Sequence, residues 1–116
     1  MLDTKSKLTW QQTVSATLMT WAAAKTYCAG VGSTLGGTGW RLPTIKELQS
    51  LLDYTQTAAP LIDSTAFPGT SASGAASFFW SSTPGASSFA WELGFNSGGR
   101  SGTSNVADTN AVRCVR

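Results

Sequence analysis

Histidine is absent from this sequence. That removes the usual general base near neutral pH and the commonest transition-metal ligand. Charge is scarce as well: only 12% of residues are Asp, Glu, Lys or Arg, about half the share usual in a globular domain. The net charge of +2 is small and no run of Lys or Arg occurs, so the electrostatic footprint of a nucleic-acid-binding protein is missing. No apolar stretch approaches the roughly 20 residues of a membrane-spanning helix, and no membrane insertion is expected. Cysteine is limited to Cys28 and Cys114. Two cysteines far apart in the chain, outside any C-x-x-C pair, do not by themselves make a tetrahedral zinc site. They are either two buried thiols or one disulfide. The low-charge, Gly/Ser-rich composition favours the disulfide, and with it an oxidising compartment. No signal peptide opens the chain, and Met1-Leu2-Asp3 reads as an artificial start, so that any native export signal there was has been cut away.

What is present suffices for one domain with one core: 116 residues, 41% of them hydrophobic. Lys7 to Trp10 has the make-up of a short edge strand. A helix is expected from Trp21 to Gly30, with Thr20 as its capping residue, three alanines inside it and glycine at its end. Trp21, Ala24 and Cys28 then fall on one face, which buries the cysteine. The glycine-dense stretch from Gly30 to Gly39 reads as a loop. Thr44-Ile45-Lys46-Glu47 matches a capping box directly after Pro43. Ile45, Leu48, Leu51 and Leu52 continue at helical spacing to about Tyr54.

From Gly69 to Asn110 the chain is mostly Gly, Ser, Thr and Asn, interrupted by the apolar runs Phe78-Phe79-Trp80 and Phe89 to Phe95. The second run alternates, placing Phe89, Trp91, Leu93 and Phe95 on one face of a strand. Ala111 to Arg116 is a further short apolar run. Antiparallel pairing of these three runs after two helices predicts an α+β fold.

Together these landmarks resemble the Lcl C-terminal domain family, earlier classed as a domain of unknown function. The residues that carry the resemblance are Leu8-Thr9-Trp10-Gln11, Thr20-Trp21 through Tyr27-Cys28, Gly39-Trp40-Arg41-Leu42-Pro43-Thr44, Glu47-Leu48, Trp80-Ser81-Ser82-Thr83, Ala90-Trp91 and Val112-Arg113-Cys114-Val115-Arg116. It spans nearly the whole chain. It implies a C-type-lectin-like fold, whose characteristic disulfide joins the first helix to the last strand, where Cys28 and Cys114 fall. It further implies extracellular binding, since relatives occur as tips of surface adhesins, some trimeric, with polyanionic host glycans as one ligand class. Related lectin-like domains are variable proteins of diversity-generating retroelements. Between Phe95 and Asn110 this chain departs from the pattern, with Gly, Ser and Ala where relatives often carry larger residues.

Several residues admit both a binding and a structural reading. Trp40, Trp80 and Trp91 are expected to pack rather than to stack on ligands, and Arg41 to anchor a loop. Arg113 is expected to point opposite to Val112 and Cys114, with Glu92 or Asp108 as partner. Calcium-dependent sugar binding is not expected. The Glu-Pro-Asn and Trp-Asn-Asp triplets of calcium-binding lectins are absent, and Asp53, Asp63, Glu92 and Asp108 are too dispersed to cage a hard cation. Catalysis is not expected either. Ser81-Ser82 has no histidine to activate it, and the closely placed active cysteines of lectin-like formylglycine-generating oxidases have no counterpart.

The reading is therefore a secreted or cell-surface binding module without cofactor or metal, presented to a glycan or protein receptor. Its candidate ligand residues are Asn96, Arg100, Ser101, Asn105, Asp108 and Asn110, polar positions outside the apolar runs. The alternatives are a structural subunit or tip of a surface fibre, a homo-oligomer, or a retroelement-diversified variable protein. Arg100, Arg113 and Arg116 against Glu92 and Asp108 leave one net positive charge in the C-terminal part. One protomer therefore offers a poor polyanion site.

Overall fold

A computed structural model describes residues 7–15, 17–63, 65–71, 77–96, 99 and 101–116. The elements run α1 (Trp21–Gly30), α2 (Gly32–Leu35), α3 (Ile45–Gln49), β1 (Phe78–Pro84), β2 (Phe89–Gly94) and β3 (Ser101–Asn105). The fold is α+β, helices first and an antiparallel sheet of order β1-β2-β3 after them.

α1 starts where its capping residue stands. The Thr20 hydroxyl accepts from the Ala23 N–H at 3.4 Å, and Ala24 and Cys28 form the buried face. α3 has the full capping box: Thr44 Oγ1 accepts from Glu47 N–H at 3.2 Å and Glu47 Oε1 accepts from Thr44 N–H at 2.8 Å. Thr44→Ala is expected to lose about 1 kcal/mol of stability, read as a lower thermal midpoint. An unchanged midpoint would show that Glu47 and the neighbouring strand hold the helix start without it.

Two expectations about helices need correction. Gly30 to Gly39 is not all loop, because Gly32–Leu35 forms a helical turn. Gly32 permits it, since a Cβ there would stand 2.8 Å from the Gly37 carbonyl oxygen. α3 stops at Gln49 instead of reaching Tyr54. Ser50, Leu51 and Leu52 tighten into bonds back to Glu47, Leu48 and Gln49, and the Asp53 N–H leaves the helix to donate to Leu61 O at 2.9 Å.

The third strand also differs from expectation. It is Ser101–Asn105, inside the polar stretch, paired with β2 from Phe89↔Asn105 to Leu93↔Ser101. The run Ala111 to Arg116 threads elsewhere. It bridges Phe79 at Ala111, and both Trp10 and Arg41 at Val115. On one side it meets the N-terminal segment, where Thr9 and Arg116 bond both ways at 2.7 and 2.8 Å and Gln11 N–H donates to Cys114 O. The expected edge strand at Lys7 to Trp10 is this pairing partner.

Side chains from the two faces of β1 and β2 feed two buried clusters. Phe79, Leu93 and Phe95 pack with Trp10, Leu48 and Val115. Trp80 and Ala90 pack with Ala24, Cys28, Trp40 and Val112. The Cys28–Cys114 disulfide lies in the second cluster and ties α1 to the C-terminal segment across a separation of 86 residues. The alternation expected for β2 holds, but its second face is covered too, by α1 against Ala90.

Arg113 packs against the aromatic rings of the first cluster. It is 1% exposed, and its guanidinium lies 5.0 and 5.4 Å from the rings of Phe67 and Phe79. It donates to Gln12 O, Pro68 O and Thr70 Oγ1 at 3.0–3.3 Å. The expected carboxylate partner, Glu92 or Asp108, is not there; neutral oxygens take its place. Burial pushes the guanidinium down to about 10, so it stays charged at neutral pH.

Candidate functional site

β3 is an edge strand made of Ser, Gly, Thr, Ser and Asn. Its register with β2 sets Asn105 beside Phe89, Thr103 beside Trp91 and Ser101 beside Leu93, all on one face of the sheet. Burial along that face falls in steps. Leu93 is fully buried, Trp91 half-buried, and Phe89 is 42% exposed. The cause is the short α3, whose Leu48 reaches the Leu93 cluster and whose last residue, Gln49, donates to Ser101 Oγ at 3.4 Å. Beyond Gln49 the aromatic strip lies open, flanked by the exposed Ser101, Thr103 and Asn105.

The opposite face of the same edge is polar and knitted. Asn110 Nδ2 donates to Glu92 Oε2 at 2.7 Å, and Ser104 Oγ donates to Asp108 Oδ2 at 3.4 Å. Burial raises the Glu92 carboxyl above its ordinary value; hydrogen bonds from Asn110 and Ser104 pull it back, while the Asp108 charge adds to the rise. Dispersed in sequence, Glu92 and Asp108 are thus neighbours in space. Among the described residues no group of three potential metal ligands forms.

The six sequence candidates divide accordingly. Ser101 and Asn105 stand on the open face. Asp108 is exposed on the knitted side, where its N–H donates to Asn105 O at 2.9 Å. Asn96 follows β2, half-buried, and its carbonyl accepts from Gly99 N–H at 3.0 Å. Arg100 lies outside the described residues. Asn110 is a correction: it is 5% exposed, pairs with the Met19 backbone in both directions and holds Glu92, so burial takes it out of any contact surface. Sequence reasoning missed Phe89, Thr103 and Gln49 as surface residues and assigned Trp91 to packing. The alternation of β2 put Phe89 and Trp91 on one face; nothing local to them told that the cover ends at Gln49.

The sequence motifs turn out to meet one another. Ser82 N–H donates to Pro43 O at 2.7 Å, and Ile45 N–H donates to Thr83 Oγ1 at 3.0 Å, so the irregular stretch of β1 after Trp80 caps α3. Ser81 Oγ donates to Trp91 O at 2.7 Å. Arg41, as expected, anchors its loop, with a two-pronged pair to Glu47 at 2.6 and 2.8 Å. That pair holds the Glu47 carboxyl below its ordinary value, against partial burial. Trp40 and Trp80 are core, their indole N–H groups bonded to Gly36 O and Met19 O. The sequence model of the Lcl C-terminal domain matches residues 1–116. The chain belongs to the Lcl C-terminal domain family. No curated protein matches it. In this Lcl C-terminal domain the hydrogen-bonded residues of these motifs hold the fold together, and the open sheet face lies outside the motifs except for Trp91.

Proposed function

We propose that this Lcl C-terminal domain is a non-catalytic, extracellular binding module of C-type-lectin-like architecture. Its open β2–β3 face meets a glycan or protein receptor. The observation that carries the reading is the strip of exposed Phe89 and half-buried Trp91 flanked by the hydroxyl and amide groups of Ser101, Thr103, Asn105 and Gln49. Flat aromatic faces suit the apolar C–H surface of a sugar ring or a receptor side chain, and the flanking groups supply donors and acceptors. The lack of histidine and the commitment of both cysteines to a disulfide support a role without catalysis. The disulfide also supports an oxidising compartment, and no helix among the described residues is long and apolar enough to cross a membrane.

Phe89→Ala separates binding from folding, because the ring is already partly in water. Its cost to stability is expected to be about 1 kcal/mol or less. Affinity for a ligand found by glycan-array screening is expected to fall on the order of tenfold. Full retention of the array signal by Phe89→Ala would move the ligand surface elsewhere.

The edge of β3 favours a second reading, a subunit of a surface fibre. Val106 N–H donates to Ser88 O at 2.9 Å, and the ladder's alternation then aims the N–H and C=O of Ser101 and Thr103 away from β2. No described residue takes them, and neither Lys nor Pro guards the strand. Light scattering over a range of concentrations separates the readings: a monomer throughout sets the fibre aside.

A further inference from the structure

A second site, sharing no residue with the open sheet face, is built around Arg116. Its guanidinium lies 5.7 Å from the Trp40 ring centroid. It also passes so close to Gly37 that a Cβ there would stand 2.6 Å from the guanidinium carbon. Gly37 has φ +79, a backbone that side-chained residues avoid, and this conformation is what keeps glycine at this point. Trp40 is itself fixed by its donation to Gly36 O at 2.8 Å. The exposed guanidinium thus lies over a ring and beside a turn, while no described residue neutralises it: the ion pair among the described residues is Arg41–Glu47. Its N–H donors meet no described acceptor.

Arg116 opens into a cleft of about 390 Å³ whose wall includes Thr9, Gln12 and Leu35. At Gln11 and Leu35 this cleft adjoins a more apolar hollow of about 510 Å³ that reaches Val14 and Val31. Gln11 between them is rigid, its amide donating to Tyr27 Oη at 2.8 Å and accepting from Cys114 N–H at 3.0 Å. Leu35, at 40% exposure, spends a large apolar surface on water.

We propose that the cleft binds an organic monocarboxylate with a short apolar body. The carboxylate pairs with Arg116, and the apolar body crosses Leu35 toward Val14 and Val31. Among the described residues lining the two hollows, Arg116 carries the one charged side chain, which suits a ligand with a single negative charge. A planar carboxylate matches the two-pronged guanidinium.

The test is a titration followed by NMR at constant ionic strength, with sodium hexanoate and the neutral hexanamide in parallel. Hexanoate is expected to shift the Trp40 indole N–H and Gly37 amide resonances saturably, with hexanamide on the order of tenfold weaker. Arg116→Met, which keeps a stem to lie on Trp40, is expected to bind both compounds equally weakly. Leu35→Ser is expected to weaken both in proportion. Equal affinity of the wild-type protein for acid and amide, the absence of a saturable shift, or undiminished hexanoate binding by a folded Arg116→Met would each overturn the proposal.

Discussion

Arg113→Ala is expected to lower the free energy of unfolding by roughly 3–5 kcal/mol. A domain of this size holds about 5–15 kcal/mol in all, so the variant sits near the edge of folding. Two effects add. The flat guanidinium fills the space beside Phe67 and Phe79, and truncation leaves that space empty. It also donates to Gln12 O, Pro68 O and Thr70 Oγ1, which tie three neighbouring segments to a side chain that is itself buried. Arg113→Met separates the two, because it keeps most of the volume but leaves the three acceptors without a donor. It is expected to fall between wild type and alanine in urea unfolding at neutral pH. A methionine variant as stable as wild type would show that the three hydrogen bonds contribute nothing net and that filling the space is the whole role.

The double variant Cys28→Ala/Cys114→Ala is expected to lose roughly 4–5 kcal/mol through release of the long loop in the unfolded chain. The separation of 86 residues makes this one of the larger loops a domain of this length can close, and closure entropy grows with loop length. Urea unfolding of oxidised and reduced protein checks the magnitude, and thiol titration of unfolded, unreduced protein checks the bond. Two free thiols in that titration would refute it. Cys114 is the chain neighbour of Arg113, and both hold the same segment in place. Combining Arg113→Ala with the double variant should therefore depart from additivity.

Much of the fold was legible because its signals are local. Thr20 and Thr44 announce their helices through hydrogen bonds spanning three residues, and the Phe89 to Phe95 alternation announces a buried strand. β3 was not legible. Ser, Gly, Thr, Ser and Asn carry no apolar alternation, and only the ladder with β2 makes them a strand. The run Ala111 to Arg116 was legible as extended, but its partners at Thr9, Arg41 and Phe79 are distant in sequence. The same locality limits the site. Ser101, Asn105 and Asn110 were all chosen by polarity; the first two are exposed and the third is buried, since polarity does not tell a solvated amide from one buried on Glu92. Phe89 was missed because Leu51 and Leu52 prolong the helical spacing of α3 past its actual end. The neutral partners of Arg113 left no trace to read, two of the three being backbone carbonyls.

The position of the final segment sets an order on how this chain acquires its shape. Residues 110–116 hold Thr9, Gln11, Ser15 and Met19 on one side and Phe78, Trp80 and Arg41 on the other. Among the described residues, the backbone bonds that Thr9, Gln11, Ser15 and Met19 make to other segments all run to residues 110–116. Fragments lacking that end leave Trp10 and Trp80 without their covering neighbours, and contacts of such long range are slow to form. Removing residues 110–116 is therefore expected to cut the covalent tie to α1 and the backbone pairing of residues 9–19 at one stroke.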